Sequence, residues 1–210
     1  MIIRNENKKK KGTLLMKRKT KPGFTLAEVL ITLAIIGVVA AMSIPVLIGS
    51  TNQQEYKVAL KKAVAVLNQA ITMSVALDST DAANCDGCSA AAPTGSQALA
   101  TYFKNRLNVV SAGDDANSFF TADGAQYHFI KTAASACQVA NSLTTVSFTA
   151  APCVVLVDVN GKKGPNATGV GSVAGSTAVY KDQYYIVIKD LAAVPGAVTG
   201  NTIAQDAMTY

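Results

Sequence analysis

The chain has 210 residues, 50% of them apolar and 6% aromatic, which allows one domain of ordinary size. The formal charge of +6 is misplaced for nucleic-acid binding: residues 1–23 hold nine Lys or Arg and one Glu, so the part from Phe24 onward has ten basic and twelve acidic residues. With one histidine, no nucleophilic serine context, no paired carboxylates and no phosphate-cradling glycine loop, no catalytic constellation is visible, and we expect no enzyme activity.

Taken in order, the basic flank KRKTKPG leads into PGFTLAEVLITLAIIGVVAAMSIPVLI, in which no charge occurs from Val29 to Ile48. Twenty residues at about 1.5 Å each make roughly 30 Å of helix, the thickness of the hydrocarbon core of a bilayer. The run is longer than the roughly 7 to 15 apolar residues of a cleaved secretory signal, and its basic flank keeps the amino-terminal end in the cytoplasm. The remainder then faces outward. Glu28 is the anomaly, because a carboxylate inside an apolar run costs a few kcal/mol unless something pairs with it. Small residues (Gly37, Ala40, Ala41, Ser43) permit close helix contact, and Pro45 removes a backbone donor and can kink or melt the helix.

Gly23-Phe24-Thr25-Leu26-Ala27-Glu28, behind a short basic leader and ahead of the apolar run, resembles the processing signature of type IV pilins and type II secretion pseudopilins. The resemblance implies removal of residues 1–23 by a prepilin peptidase cutting between Gly23 and Phe24, methylation of the new Phe24 amine, and passage through an inner-membrane assembly platform. Mature subunits would then join copies of themselves and related pilins in a helical filament. It further implies that Glu28 pairs with the Phe24 amine of a neighbouring subunit and fixes register. Family members resemble this chain in carrying a proline at the place of Pro45. Their compact leaders suggest a start at Met16, giving MKRKTKPG. A weaker similarity to the carboxy-terminal region of pilin-like proteins returns at FTADGAQYHF, at VLVDVNGKKGPNATG and at KDQYYIVI.

The domain plan is a leader (1–23), a transmembrane and filament-core helix (24–50), an amphipathic continuation (51–78) and a globular domain (79–210). The resemblance and the patterning together give an α+β, pilin-like fold: a long, bent amino-terminal helix whose second half packs on a small antiparallel β-sheet. In the continuation, Tyr56, Leu60, Ala63, Val64, Leu67, Ala70, Ile71 and Val75 recur at three- and four-residue steps. Residues 79–95 read as a surface loop. Residues 96–110 regain helical spacing with Ser96 as cap, followed by a loop through Gly113 and Asn117. Strand-like runs follow at Tyr127–Ile130, Leu143–Phe148, Val154–Val159 and Tyr184–Ile188, with connections that suggest antiparallel pairing.

Cys85, Cys88, Cys137 and Cys153 lie on the outward side, where disulfides persist, and allow three pairings. Cys85 with Cys88 and Cys137 with Cys153 is the favoured set, because the first closes a tiny loop and the second staples a strand and turn region. The competing reading is a membrane-anchored redox or metal-binding protein using the CxxC, although Asp86 inside the motif disfavours a thiolate. A further one is a binding domain secreted after a signal cut near Ala41. Asp158-Val159-Asn160-Gly161 before Gly164-Pro165-Asn166 invites a calcium site, which the resembled major pseudopilins carry in a comparable late loop. The spacing is not that of a twelve-residue calcium loop, no bidentate Glu follows, and Lys162 and Lys163 oppose a cation. Turns explain these residues, no cofactor is expected, and Asp158 and Asp182 are the candidate ligands if calcium binds. His128 reads as a structural or half-exposed strand residue.

Overall fold

A computed structural model describes residues 23–131, 134, 137, 153–168, 179–196 and 202–209. The leader and the run Leu143–Phe148 lie outside the described residues. The chain divides into two compact units, Met1–Pro45 and Val46–Tyr210. Helix α1, Leu26–Asp78, contains Pro45 within its length. In the first unit its side chains are exposed on nearly all sides, with Leu30, Ile35 and Val39 each about 60% accessible. A helix that is apolar all round requires an apolar surrounding, either lipid or other protein.

The second unit is an α+β arrangement of helices on a six-stranded antiparallel sheet. The strands are β1 (Val109–Ala112), β2 (Ser118–Thr121), β3 (Gln126–Lys131), β4 (Cys153–Asp158), β5 (Gln183–Ile188) and β6 (Ala193–Pro195), and they lie side by side in chain order. The registers Gln126↔Asp158 through Lys131↔Cys153 and Val154↔Val187 through Asp158↔Gln183 put Tyr127, Phe129, Val155, Val157, Tyr184 and Ile186 into one core. A slip of one residue would turn that whole set outward. Phe129 stacks on Phe103 with ring centroids 4.9 Å apart and on Phe119 at 5.7 Å. His128 points the other way, half-exposed, with Nε2 3.3 Å from Asp115 Oδ2.

Helix α1 contributes Leu60, Ala63, Val64, Leu67, Ala70 and Ile71 to this core. Each fully buried Leu or Ile is worth about 1.5–3 kcal/mol, which makes this stripe a main tie between helix and sheet. The stripe ends earlier than its spacing predicts: Val75 is exposed, and Ser74 is buried in its place, where its hydroxyl meets Nε of Arg106 at 3.3 Å. Asn68 holds the helix to the sheet from both ends of its amide, donating to the Ala193 carbonyl and accepting the Ala193 N–H at 2.9 Å each.

The expected helix over 96–110 is shorter and shifted. It is α2, Thr94–Lys104, and Val109–Ala112 is strand β1 instead. Ser96 does not cap it. Pro93 occupies that position, and Ser96, inside the helix, accepts the Lys131 N–H at 3.0 Å on its hydroxyl, tying α2 to the end of β3. Strands β2 and β6 and a closing helix α3, Ile203–Thr209, were not anticipated by the patterning.

Candidate functional site

The head of α1 is closed by two interlocking residues. The helix begins at Leu26, so Thr25 is its cap and Glu28 its third residue, a T-x-x-E spacing. The Glu28 N–H donates to Thr25 Oγ1 at 3.2 Å, while Glu28 Oε2 accepts both the Thr25 N–H and the Thr25 hydroxyl at 2.8 Å. This reciprocal arrangement satisfies two backbone donors that an apolar medium would leave orphaned. It also holds a negative carboxylate at the positive end of the helix dipole. Both bonds from Thr25 end on Oε2. Phe24 stands one residue before the cap and is 90% exposed.

Further along, the hydroxyls turn inward onto their own helix. Thr32 donates to the Val29 carbonyl at 2.9 Å and Ser43 to the Val39 carbonyl at 2.8 Å. Their polarity is hidden from an apolar surrounding. Pro45 lacks the N–H that would bind the Ala41 carbonyl. By length and composition the helix can cross a membrane. Residues 18–44 match the prokaryotic N-terminal methylation motif. That methylation motif is the signature of type IV pilins and pseudopilins, and here it takes in Gly23, Phe24, the capping pair Thr25 and Glu28, and the helix up to the residue before Pro45. No curated protein and no solved structure matches the chain.

The cysteines come together in two pairs, Cys85 with Cys88 and Cys137 with Cys153, each with Cα atoms 5.2 Å apart, inside the usual disulfide span. Cys88, Cys137 and Cys153 are fully buried. The CxxC sits in the loop ahead of α2, six residues before its first residue Thr94, and so outside the first helical turn that depresses a thiol pKa.

Asp158 and Asp182 are both buried and adjacent, and their oxygens receive protein donors. Asp182 accepts the Asn166 N–H at 2.7 Å on Oδ2 and the Ala167 N–H at 2.9 Å on Oδ1. Asp158 accepts the Asn160 N–H at 3.2 Å and the Gln183 amide at 3.1 Å. Burial, joined by the neighbouring Asp182 charge, pushes the Asp158 carboxyl above its ordinary value, while the Gln183 bond works the other way. Among the described residues no three His, Cys, Asp or Glu side chains converge as metal ligands would. The two acids act as clamps on the described part of the β4–β5 loop, residues 160–167. Gly161 in that loop has φ +67°, and a Cβ there would run into the Gly124 carbonyl.

Thr25 is the site residue that sequence reading passed over. Its signal was present as the T-x-x-E spacing before an apolar run.

Proposed function

We propose that this chain is the precursor of a structural subunit of a type IV pilus-like or type II secretion pseudopilus filament. Prepilin peptidase cuts between Gly23 and Phe24, the Phe24 amine is methylated, and the subunit waits in the cytoplasmic membrane as a single-pass protein with its carboxy-terminal domain outside. The assembly platform then moves α1 from lipid into a bundle of like helices. That transfer is between two apolar media, so cohesion comes from close packing at Gly37, Ala40, Ala41 and Ser43 rather than from expulsion of water. The work is mechanical rather than catalytic.

The observation that carries this reading is the methylation motif seated on a helix whose apolar stretch to Ile48 holds one carboxylate, Glu28, fixed in the first turn. A cap needs no partner chain, yet Thr or Ser alone caps a helix without a charge that insertion scales put at about 3 kcal/mol in mid-membrane. The extra charge fits a second task, pairing with the Phe24 amine of a neighbour through the oxygen that Thr25 does not bind. A slip along the axis leaves both charges unpaired, which sets register.

Electron microscopy of cells carrying Glu28→Ala tests this. The variant is expected to be cut normally and to yield no filaments, whereas Thr25→Ala, which keeps the carboxylate, retains some. Filaments of Glu28→Ala at the native yield would remove the pairing role.

A further inference from the structure

The second unit is electrically polar from end to end. At the end where α1 enters it, four segments meet: α1 near Lys57, the β2–β3 turn, the β4–β5 loop and the start of β5. Lys62 Nζ reaches Asp123 Oδ2 at 2.9 Å, Lys57 Nζ sits 4.0 Å over the Tyr180 ring, and Lys162 Nζ sits 5.2 Å from the centre of the Phe120 ring. Lys163 is exposed beside Lys162, and Lys181 follows Tyr180. Of the acids at this end, Asp158 and Asp182 are 4% and 0% exposed, Asp123 is held by Lys62, and Glu55 is exposed beside Lys57, so the lysines outnumber the accessible acids and the surface is net basic.

The far end is the reverse. The Ala82 N–H donates to the Asp190 carbonyl at 3.0 Å, which brings the loop after α1 against the end of β5. Asp78, Asp81, Asp86 and Asp190 gather there, with Asp86 exposed and Arg106 engaged with Asp78; Lys131 is buried and Lys189 adjoins Asp190, so the acids outnumber the accessible bases and this end is net acidic.

Resting on the filament reading, we propose that these ends are the two halves of one heterologous interface: the basic entry end of one copy docks on the acidic far end of the next copy along the filament. Subunits that share one orientation meet along the axis through unlike ends, so one chain must carry both complements. Opposite ends of unlike sign provide that, and like-end contacts are repelled, which keeps subunits parallel. The same charges steer a membrane-bound subunit onto the growing end, an attraction that salt screens.

Zero-length carbodiimide coupling of membrane preparations bearing filaments assembled from a mixture of heavy-labelled and unlabelled full chain, read by mass spectrometry, tests this. Amide links between copies are expected from Lys162 or Lys163 to Asp86 or Asp190, with yield falling several-fold as salt is raised. Lys162→Glu with Lys163→Glu should lose them, as should Asp86→Lys with Asp190→Lys, and the four changes together should restore them at the exchanged positions. Links that join only like ends, or none between ends, overturn the proposal. So does loss of function from the lysine changes alone, uncorrected by the aspartate changes and accompanied by lost binding to phosphatidylglycerol vesicles, which would assign the basic end to lipid. Resistance of the processed chain to protease checks folding of each variant. The contact needs one copy raised above the next along the axis, so coupling is read on preparations that hold filaments. Filaments without end-to-end links sink the contact alone; an uncut chain sinks the filament reading alone.

Discussion

Glu28 and Asp182 are two carboxylates in unfavourable places with different answers. Glu28 sits at the head of an exposed apolar helix and closes a cap with Thr25. Asp182 is wholly buried and receives two backbone N–H donors from the β4–β5 loop. Charge-assisted hydrogen bonds contribute about 1.5–3 kcal/mol, so Asp182→Ala should destabilise the protein by about 3 kcal/mol in urea titration. A change within a few tenths would show that the loop folds without its clamp. Asp158 responds to pH. Its folded-state pKa is raised by burial and by the Asp182 charge, so the folded chain holds that proton more firmly than the unfolded chain. Its contribution to stability is therefore full below the ordinary Asp value near 3.9, falls as pH rises through the raised folded value, and is flat above it. Asp158→Asn should gain stability relative to the native chain as pH rises through that window, measured by melting at several pH values. A pH-independent difference would contradict the assignment. The carboxylates were visible in the sequence. What they bind was not, since Asn166 and Ala167 reach Asp182 only after the loop has folded back.

Among elements, the long helix and the central strands are the legible part. Their signals are strong: twenty uncharged residues, a three- and four-step stripe, and the alternation that puts Tyr127 and Phe129 inward and His128 outward. Strands β1 and β2 escaped because they are four residues each, and β1, with Val109 half-buried and the rest of VVSA exposed, has no inward face to advertise. Val109 and Val110 instead extended the apparent helical period of α2. Val75 kept the helical period of α1 but not its burial, because at that turn Ser74, bonded to Arg106, is the residue turned inward. The Cys137–Cys153 disulfide, sixteen residues apart in sequence, fastens the start of β4, where Cys153 faces Lys131 of β3. A loop of that length is worth about 3 kcal/mol in chain entropy. Replacing both cysteines by serine should lower stability by about that amount in denaturant titration under oxidising conditions. The three-residue Cys85–Cys88 loop should be worth less, about 2 kcal/mol. Equal losses for the two would mean that packing rather than loop closure governs them.

At the scale of the whole molecule, an apolar helix that requires lipid or other protein around it is joined to a domain with one basic and one acidic end. Composition suggested the first and concealed the second. The leader's charge masks a mildly acidic remainder, and segments as distant as Lys57, Lys162 and Lys181 form one end only through the sheet order and register. The central claim, that the helix head is a processed assembly terminus, has a direct test in intact mass and amino-terminal sequencing of the protein from its native membrane. A mature chain beginning at Phe24 and heavier by one methyl group is the predicted result. A chain that keeps residues before Phe24, or one that begins near Ala41, would contradict it, because neither places an amine where the carboxylate of Glu28 can meet it.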